Sequence, residues 1–364
     1  VECSRPMTKL RSRRRDEASR RARKVLGWLA VGFLLGQASL FAVLESIRPD
    51  LRDPEYGIRL YQLRDRLGER SKSGPLVITL GSSRTGMGIR PDAMGDLPDG
   101  AVVFNYGINS GGPLIELLCL RRILAEGITP DLVVAEISPV SLRLDGEDAI
   151  RTDRAYYLRR TGLADVDAVS RQAGRPDFFL GEWTWDQLTL SYSQRSFLLA
   201  IEARRWLPRD SKIDVRWRGV DPHGFQRLPN FEHHDAVRYQ AILAASEKSV
   251  AKHYSEFHVS PTAEACLREL LETCRDQNIR VVLVLMPESP SLRSWATTTV
   301  HDRVNGLLDG FKRDYHASVV DSRDWITEDG FGDTEHMTVE GAGRFSQRFA
   351  RDVLTPLLQN PAGK

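Results

Sequence analysis

The chain predicts a doubly wound α/β domain on a parallel sheet of about five strands, with a large, mostly helical insertion and a membrane-spanning helix ahead of it. Three observations carry this expectation. Short apolar runs rich in β-branched residues alternate with stretches of helical spacing over 76–141 and again over 261–358. Between 142 and 260 the alternation stops, and the sequence turns rich in Arg, Asp and aromatics. Residues 25–44, VLGWLAVGFLLGQASLFAVL, hold no charge. At 364 residues, 41% hydrophobic and 27% charged, the chain has room for one large domain and its appendages.

The N-terminal 24 residues hold ten Lys/Arg against three Asp/Glu, a net of +7, while the remainder holds 41 against 46, a net of −5. Basic character is therefore confined to a tail over 1–24, and nothing marks the main body as a nucleic-acid binder. The uncharged run that follows is long enough for a hydrocarbon core of about 30 Å. Its polybasic flank puts the tail in the cytoplasm and the rest of the chain across the membrane. A buried core helix is the bland alternative, and apolar residues all round disfavour it. A cleaved signal peptide competes more closely. Ala38 and Ala42 are small, but no small-x-small site follows a short apolar core, so an uncleaved anchor over 25–47 is expected. Val1 is read as a start codon taken literally, or as a sign that the start is Met7.

Residues 48–75 are charged, with Ile58, Leu60, Leu63 and Leu67 near helical spacing, and are expected to form a stalk. Leu76 to Leu80 then reads as a buried strand ending at the turn Gly81-Ser82-Ser83-Arg84. Val102 to Asn105 is a second strand, closing on the glycine-rich turn from Tyr106 to Pro113, and Leu114 to Ala125 has helical spacing. Leu132 to Ile137 is a third strand. Within the insertion, short helices are expected near 154–160, 194–206 and 235–252. A helix over 261–277, a strand over 280–286, a helix over 298–313, a strand over 317–321 and a last helix near 340–358 complete the alternation.

Other groups carry less. Cys266 and Cys274 are eight apart on one helix, about 12 Å, too far to bridge, which leaves pairing with Cys119 open. Cys3 lies in the tail. His223, Glu232, His233, His234 and Asp235 could suggest a metal site, but adjacent histidines lack the usual ligand spacing, and an exposed loop is the better reading. Trp183, Trp185, Trp206 and Trp217 fit packing of a small cap as well as stacking on sugar rings. The Gly107 to Gly112 turn lacks the lysine of a phosphate loop.

Chemistry concentrates at two places. Ser83 sits just past the carboxyl end of a parallel strand, where open α/β sheets place their sites. Asp333-Thr334-Glu335-His336, before the final helix, supplies a base and a carboxylate to orient it. Phe345, Phe349 and Val353 behind that loop are spaced to brace it with an amphipathic helix. Gly81-Ser82-Ser83, the Asn105-x-Gly107 turn and Asp333-x-x-His336, in this order, resemble the SGNH/GDSL hydrolase superfamily. More narrowly they resemble its membrane-anchored branch of alginate O-acetylation and teichoic-acid D-alanylation proteins, in which Gly-Ser-Ser replaces Gly-Asp-Ser. The resemblance covers 76–139 and 262–358 and not the insertion.

The resemblance implies a flavodoxin-like three-layer α/β/α fold, with Ser83 as nucleophile, His336 as general base and Asp333 as orienting acid. It implies an oxyanion hole from the Ser83 N–H and a glycine, best matched by Gly111, with Gly107 or Gly112 as alternatives. The family's third donor, an Asn in a Gly-x-Asn-Asp block, is replaced here by Glu136-Ile137-Ser138-Pro139, and Asn109 is the available substitute. Arg84 reads equally as a surface charge pairing with a lid or as an anion clamp, and Glu136 as a structural hydrogen-bond partner. The function implied is a membrane-anchored esterase or O-acyltransferase working through an acyl-serine, outside the cytoplasmic membrane. Its substrate would be an acylated envelope or extracellular polysaccharide, or a lipid. No cofactor is implied, and a transferase would need a separate acyl-donor membrane protein. The alternatives are a non-catalytic binding or assembly protein of the same fold and, more weakly, a phosphodiesterase.

Overall fold

The apolar runs form five strands, β1 (Leu76–Gly81), β2 (Val102–Gly107), β3 (Leu132–Ile137), β4 (Arg280–Leu285) and β5 (Ser318–Asp321). They pair in the order β2-β1-β3-β4-β5, every neighbour parallel. The computed structural model describes residues 6–69, 74–143, 158–172, 175–207, 216–255 and 257–360. Cys3, the first five residues of the tail and 144–157 of the expected insertion, which include the start of the helix placed near 154–160, lie outside them.

Successive residues of a strand face opposite sides. Ile78, Leu80, Phe104, Val133 and Leu283 accordingly enter one hydrophobic cluster, and Val77, Val103, Val134, Val282 and Val284 enter the other. A strand buried on both faces has to be apolar throughout, which is why these segments stand out in the sequence. The first cluster is closed by helices Pro54–Glu69, Pro113–Ala125, Pro261–Asp276 and Thr298–Tyr315. The second is closed by Val339–Phe349 and its continuation, through Phe345, Phe349, Val353 and Leu354. Local chemistry fixes where helices begin. Ser260 accepts from Ala263 N–H, Thr297 from Val300 N–H and Thr338 from Gly341 N–H.

The strand order gives the sheet its switch point. β2 lies on one side of β1 and all later strands on the other, so connections diverge between β1 and β3 and leave a crevice at their carboxyl ends. The free edge of β2 is covered by the insertion, where Asn105 N–H donates to His223 O at 2.9 Å and Gln226 N–H to Gly86 O at 2.8 Å. Also in the insertion are helices Pro176–Leu188, Leu190–Ser193, Arg195–Glu202 and Ala236–Ser255, the first two unanticipated.

Residues 54–69 correct the expectation of a stalk. Tyr56, Leu60 and Leu63, at i, i+4 and i+7, are buried in the main core, and Arg59 is fully buried beside them. The charges that suggested a solvated segment are paired with distant residues. Asp53 receives Arg160 Nη1 and Arg122 Nη1, each at 2.9 Å, Glu55 receives Arg160 Nη2 at 2.9 Å, and Arg122 Nη2 reaches Asp165 at 2.7 Å. Burial works against the Asp53 charge, but Arg160 and Arg122 outweigh it and hold its pKa below the usual carboxylate value.

The chain's one described stretch long and apolar enough to cross a membrane is Glu17–Ile47. Up to Leu35 its large side chains, Leu26, Trp28 and Leu29 among them, are exposed, while Leu44 further along is buried. Cys119, Cys266 and Cys274 are free and buried, which closes the pairing left open above, and burial pushes each thiol up to about 12. Because Arg122 ties three segments together from a largely buried position, Arg122→Ala should cost about 3–5 kcal/mol by leaving Asp53 and Asp165 short of a cation. Denaturant titration of the purified variant measures this, and a loss under about 1 kcal/mol would mean the network behaves like an exposed surface pair.

Candidate active site

β1 ends at Gly81, and the six-residue helix Ser83–Gly88 begins almost at once. Glu136 on β3 forces this tight turn. Its carboxylate accepts from Ser82 N–H at 2.8 Å, from Ser82 Oγ at 2.8 Å and from Thr85 Oγ1 at 2.7 Å. Ser82 Oγ in turn caps the helix by accepting from Arg84 N–H at 3.1 Å. Gly81 permits the approach, since a Cβ there would stand 2.2 Å from Thr85 Oγ1 and 2.5 Å from Glu136 Oε2. Ser83 is left half-buried at the mouth of the β1/β3 crevice. The expectation that Glu136 is a structural acceptor matches this geometry.

The second half of the site is a short loop pinched at its base. Phe331 and Met337 form an antiparallel bridge, and Gly332 N–H donates to His336 O at 2.9 Å. Inside it, Asp333 Oδ1 accepts from Glu335 N–H at 2.8 Å and His336 N–H at 2.7 Å, the turn an Asp side chain favours. The same carboxylate faces the imidazole, with Oδ2 2.9 Å from His336 Nδ1. On the far side of the ring, Nε2 stands 2.7 Å from Ser83 Oγ. These partners assign the tautomer: Nδ1–H donates to Asp333, and Nε2 accepts the Ser83 hydroxyl proton. Phe231 of the insertion packs edge-on against the imidazole, ring centroids 5.8 Å apart.

Electrostatics supports the same direction of proton flow. Burial disfavours the His336 imidazolium, but the charge and hydrogen bond of Asp333 outweigh it, so the His336 pKa lies above its usual 6.5. For Asp333, burial is the largest influence and raises its pKa, yet His336 and the two backbone N–H groups bring it below the usual value.

The remaining residues singled out in the sequence divide differently. Gly107 N–H donates to Asn105 Oδ1 at 2.9 Å and Gly111 N–H to Ile108 O at 2.8 Å, so two of the three glycine amides expected to face an oxyanion are already committed. Gly107 instead makes room for the Ser83–Gly88 helix, because a Cβ there would stand 2.2 Å from Gly86 N. Asn109 is buried, and its backbone N–H donates to Glu55 Oε1 at 2.8 Å. Arg84 corrects both of its readings. Its guanidinium is buried, donating to Ser138 Oγ at 3.1 Å and to Met286 O and Pro287 O at 3.2 and 3.1 Å, with Glu288 at 3.4 Å. It ties the Ser83–Gly88 helix to the exit of β4 and is neither a surface charge nor a clamp open to an anion.

Asn105 was missed. Its side-chain amide donates to Thr85 O at 2.8 Å and Ile89 O at 2.6 Å, holding the C-terminal half of the Ser83–Gly88 helix against β2. The signal was available, since Asn105 is the one polar side chain in the run VVFNYG apart from a tyrosine hydroxyl. Among the described residues no group of three His, Cys, Asp or Glu could hold a metal ion. His234 Nδ1 pairs with Phe331 O at 2.7 Å, and Trp183 Nε1 donates to Thr161 O at 2.9 Å, while Trp185 and Trp206 are exposed.

A sequence-family model matches residues 209–358, less than half of the chain, a stretch that includes the Asp333–His336 loop and excludes Ser83. No curated protein matches the chain. Among solved structures, one similar chain is a "putative acylhydrolase" from Bacteroides fragilis, 11% identical, covering 84% of this chain and 97% of its own, with a TM-score of 0.36. That likeness is too weak to bear on the site.

The electrostatics of His336 sets the pH dependence. If it acts as a base, kcat/KM for an ester should rise with pH through a midpoint above 6.5, as the imidazole loses its proton. Asp333→Asn removes the charge that raises this pKa, so the midpoint should fall as the rate drops by about 10²–10⁴. A pH–rate profile of both proteins measures it; an unmoved midpoint in the variant would remove Asp333 from this role.

Proposed function

We propose that this chain is a membrane-anchored serine esterase or O-acyltransferase of SGNH type, acting on an acyl ester. The observation that carries the proposal is the continuous chain Ser83 Oγ, His336 and Asp333, joined by contacts of 2.7 and 2.9 Å at a strand-exit crevice. A serine hydroxyl is a weak nucleophile until a base within hydrogen-bond reach takes its proton, and that base works best when its tautomer is fixed from behind.

In this mechanism Ser83 Oγ attacks the ester carbonyl carbon while His336 Nε2 accepts the hydroxyl proton. The tetrahedral oxyanion collapses, the carbonyl–alkoxy bond breaks, and His336 returns the proton to the leaving alcohol. An acyl-serine remains. Water, deprotonated by His336, then releases a carboxylic acid, or a glycan hydroxyl takes the acyl group. The Ser83 N–H is the donor best suited to the oxyanion. Of the first three N–H groups of its helix, Arg84's goes to Ser82 Oγ and Thr85's to Glu136, while Ser83's lies at the start of the helix without an intrahelical acceptor.

The exposed apolar run after the basic tail supports a bilayer anchor, and the positive-inside bias supports a cytoplasmic tail with the catalytic domain on the other side. An envelope or extracellular polysaccharide ester, or a lipid ester, fits a domain held there. One span does not carry acyl groups across the bilayer, so transfer would draw on a separate membrane donor. The committed amides of Gly107 and Gly111 favour a second reading, a binding or assembly protein that keeps the fold without turnover.

Hydrolysis of p-nitrophenyl acetate by the detergent-solubilised full chain separates the two. The enzyme reading expects turnover, with Ser83→Ala lowering kcat by at least about 10³ while the protein stays folded. Equal rates in parent and variant would contradict it, and no turnover in either would turn the balance to the binding reading.

A further inference from the structure

The anchor helix and the insertion meet at a depth that the length of the apolar run makes informative. Arg20, Arg21, Arg23 and Lys24 bound the run below. Above, Gln37 is the first side chain taken up by protein: its Nε2 donates to Ser191 Oγ at 2.8 Å and its Oε1 accepts from Ser191 N–H at 2.9 Å. Beyond it, Leu40, Phe41 and Leu44 pack with Leu51, Leu190, Leu198 and Ile201. The bare part of the helix is therefore residues 25–36, about 18 Å at 1.5 Å per residue, well short of a hydrocarbon core of about 30 Å. A bilayer spanned by this helix has to continue past Gln37, to about the level of Leu44. The insertion helices that grip the anchor there then stand within the lipid.

Their outer surface fits that placement. Phe178, Gly181, Trp185 and Leu188 follow one another at intervals of three and four on one face of the helix Pro176–Leu188, Tyr192 follows on the short helix Leu190–Ser193, and all are exposed; Trp185 and Tyr192 are each 66% accessible. No charged residue between Phe178 and Tyr192 is exposed. Glu182 and Asp186 are half-buried, and Asp186 contributes to the electrostatic environment of the buried Arg52 guanidinium. Exposed charges return only at the two ends, with Asp177 and Arg195. An aromatic and aliphatic stripe, free of charge and bounded by it, is the composition of a face lying in the membrane interface about 5–10 Å deep.

We propose that the stripe Phe178–Gly181–Trp185–Leu188–Tyr192 is embedded in the lipid leaflet on the domain side of the membrane. The chain then holds the bilayer by one span plus a half-submerged collar, and the collar fixes the domain's height and tilt over the surface. The inference rests on the reading of residues 25–44 as a bilayer span.

The test uses the full chain with Cys3→Ser, whose other cysteines are buried, carrying one bimane-labelled cysteine and reconstituted in phosphatidylcholine vesicles. Tyr192→Cys and, as a second variant, Leu188→Cys report on the stripe. Leu29→Cys reports on the span, and Asp309→Cys, exposed on the helix Thr298–Tyr315, is the aqueous control. With lipids brominated on the acyl chain near the headgroup, labels at 188 and 192 should lose emission as strongly as the label at 29, while the label at 309 keeps its own. Quenching at 29 with none at 188 and 192 would overturn the collar and leave the span standing. No quenching at 29 would overturn the span, and the collar with it.

Discussion

Glu136 on β3 makes the bonds on which the site depends. A buried carboxylate is costly unless it is fully hydrogen-bonded, and among the described residues its donors come from the turn after β1. Satisfying Glu136 therefore pulls Ser82 and Thr85 against β3, stops the strand at Gly81 and starts a helix at Ser83. The direction of Ser83 thus follows from the bonding of its neighbours. Arg84 continues the logic: burial disfavours its charge, Glu288 and Glu136 more than compensate, and its guanidinium ties the turn to the exit of β4.

Ser83 and the Asp333–His336 loop belong to two separately braced halves that meet only in the folded chain. Asp333 spends two bonds closing its own loop before it faces His336, so the loop is shaped for the imidazole in advance. The loop's base is fixed by the Phe331–Met337 bridge and by the Thr338 cap of the following helix, whose Phe345 and Phe349 are fully buried. Such preorganisation lets a proton move without first reorganising the site. The segment following the apolar N-terminal helix takes part as well, since Glu55 holds the Asn109 turn through one carboxylate oxygen and Arg160 through the other.

Legibility in the sequence followed the range of the interactions. β1 to β4 were readable because burial on two faces leaves a largely apolar run in each, and Leu132–Ile137 was placed to the residue, whereas β5, only partly buried, was marked by Val319-Val320 alone. Ser83, Asp333 and His336 were readable because each sits in a short local pattern, and the structure brings them within hydrogen-bond distance. What escaped depends on partners far along the chain. Arg84 looked like a surface charge because its acceptors lie some 200 residues away, at 286–288. Residues 54–69 looked like a stalk because Asp53 and Glu55 are neutralised by Arg122 and Arg160 from elsewhere. The commitments of the Gly107 and Gly111 amides are backbone events that no side chain announces.

The central claim is that His336 makes Ser83 a nucleophile. A fluorophosphonate, which reacts with an activated serine hydroxyl and leaves a stable phosphonyl ester, tests it without knowledge of the natural ester. Peptide mass mapping of the full chain after treatment should place a single adduct on Ser83, and His336→Ala should abolish it while the fold persists. An adduct on another serine, or no adduct on folded protein, would contradict the account.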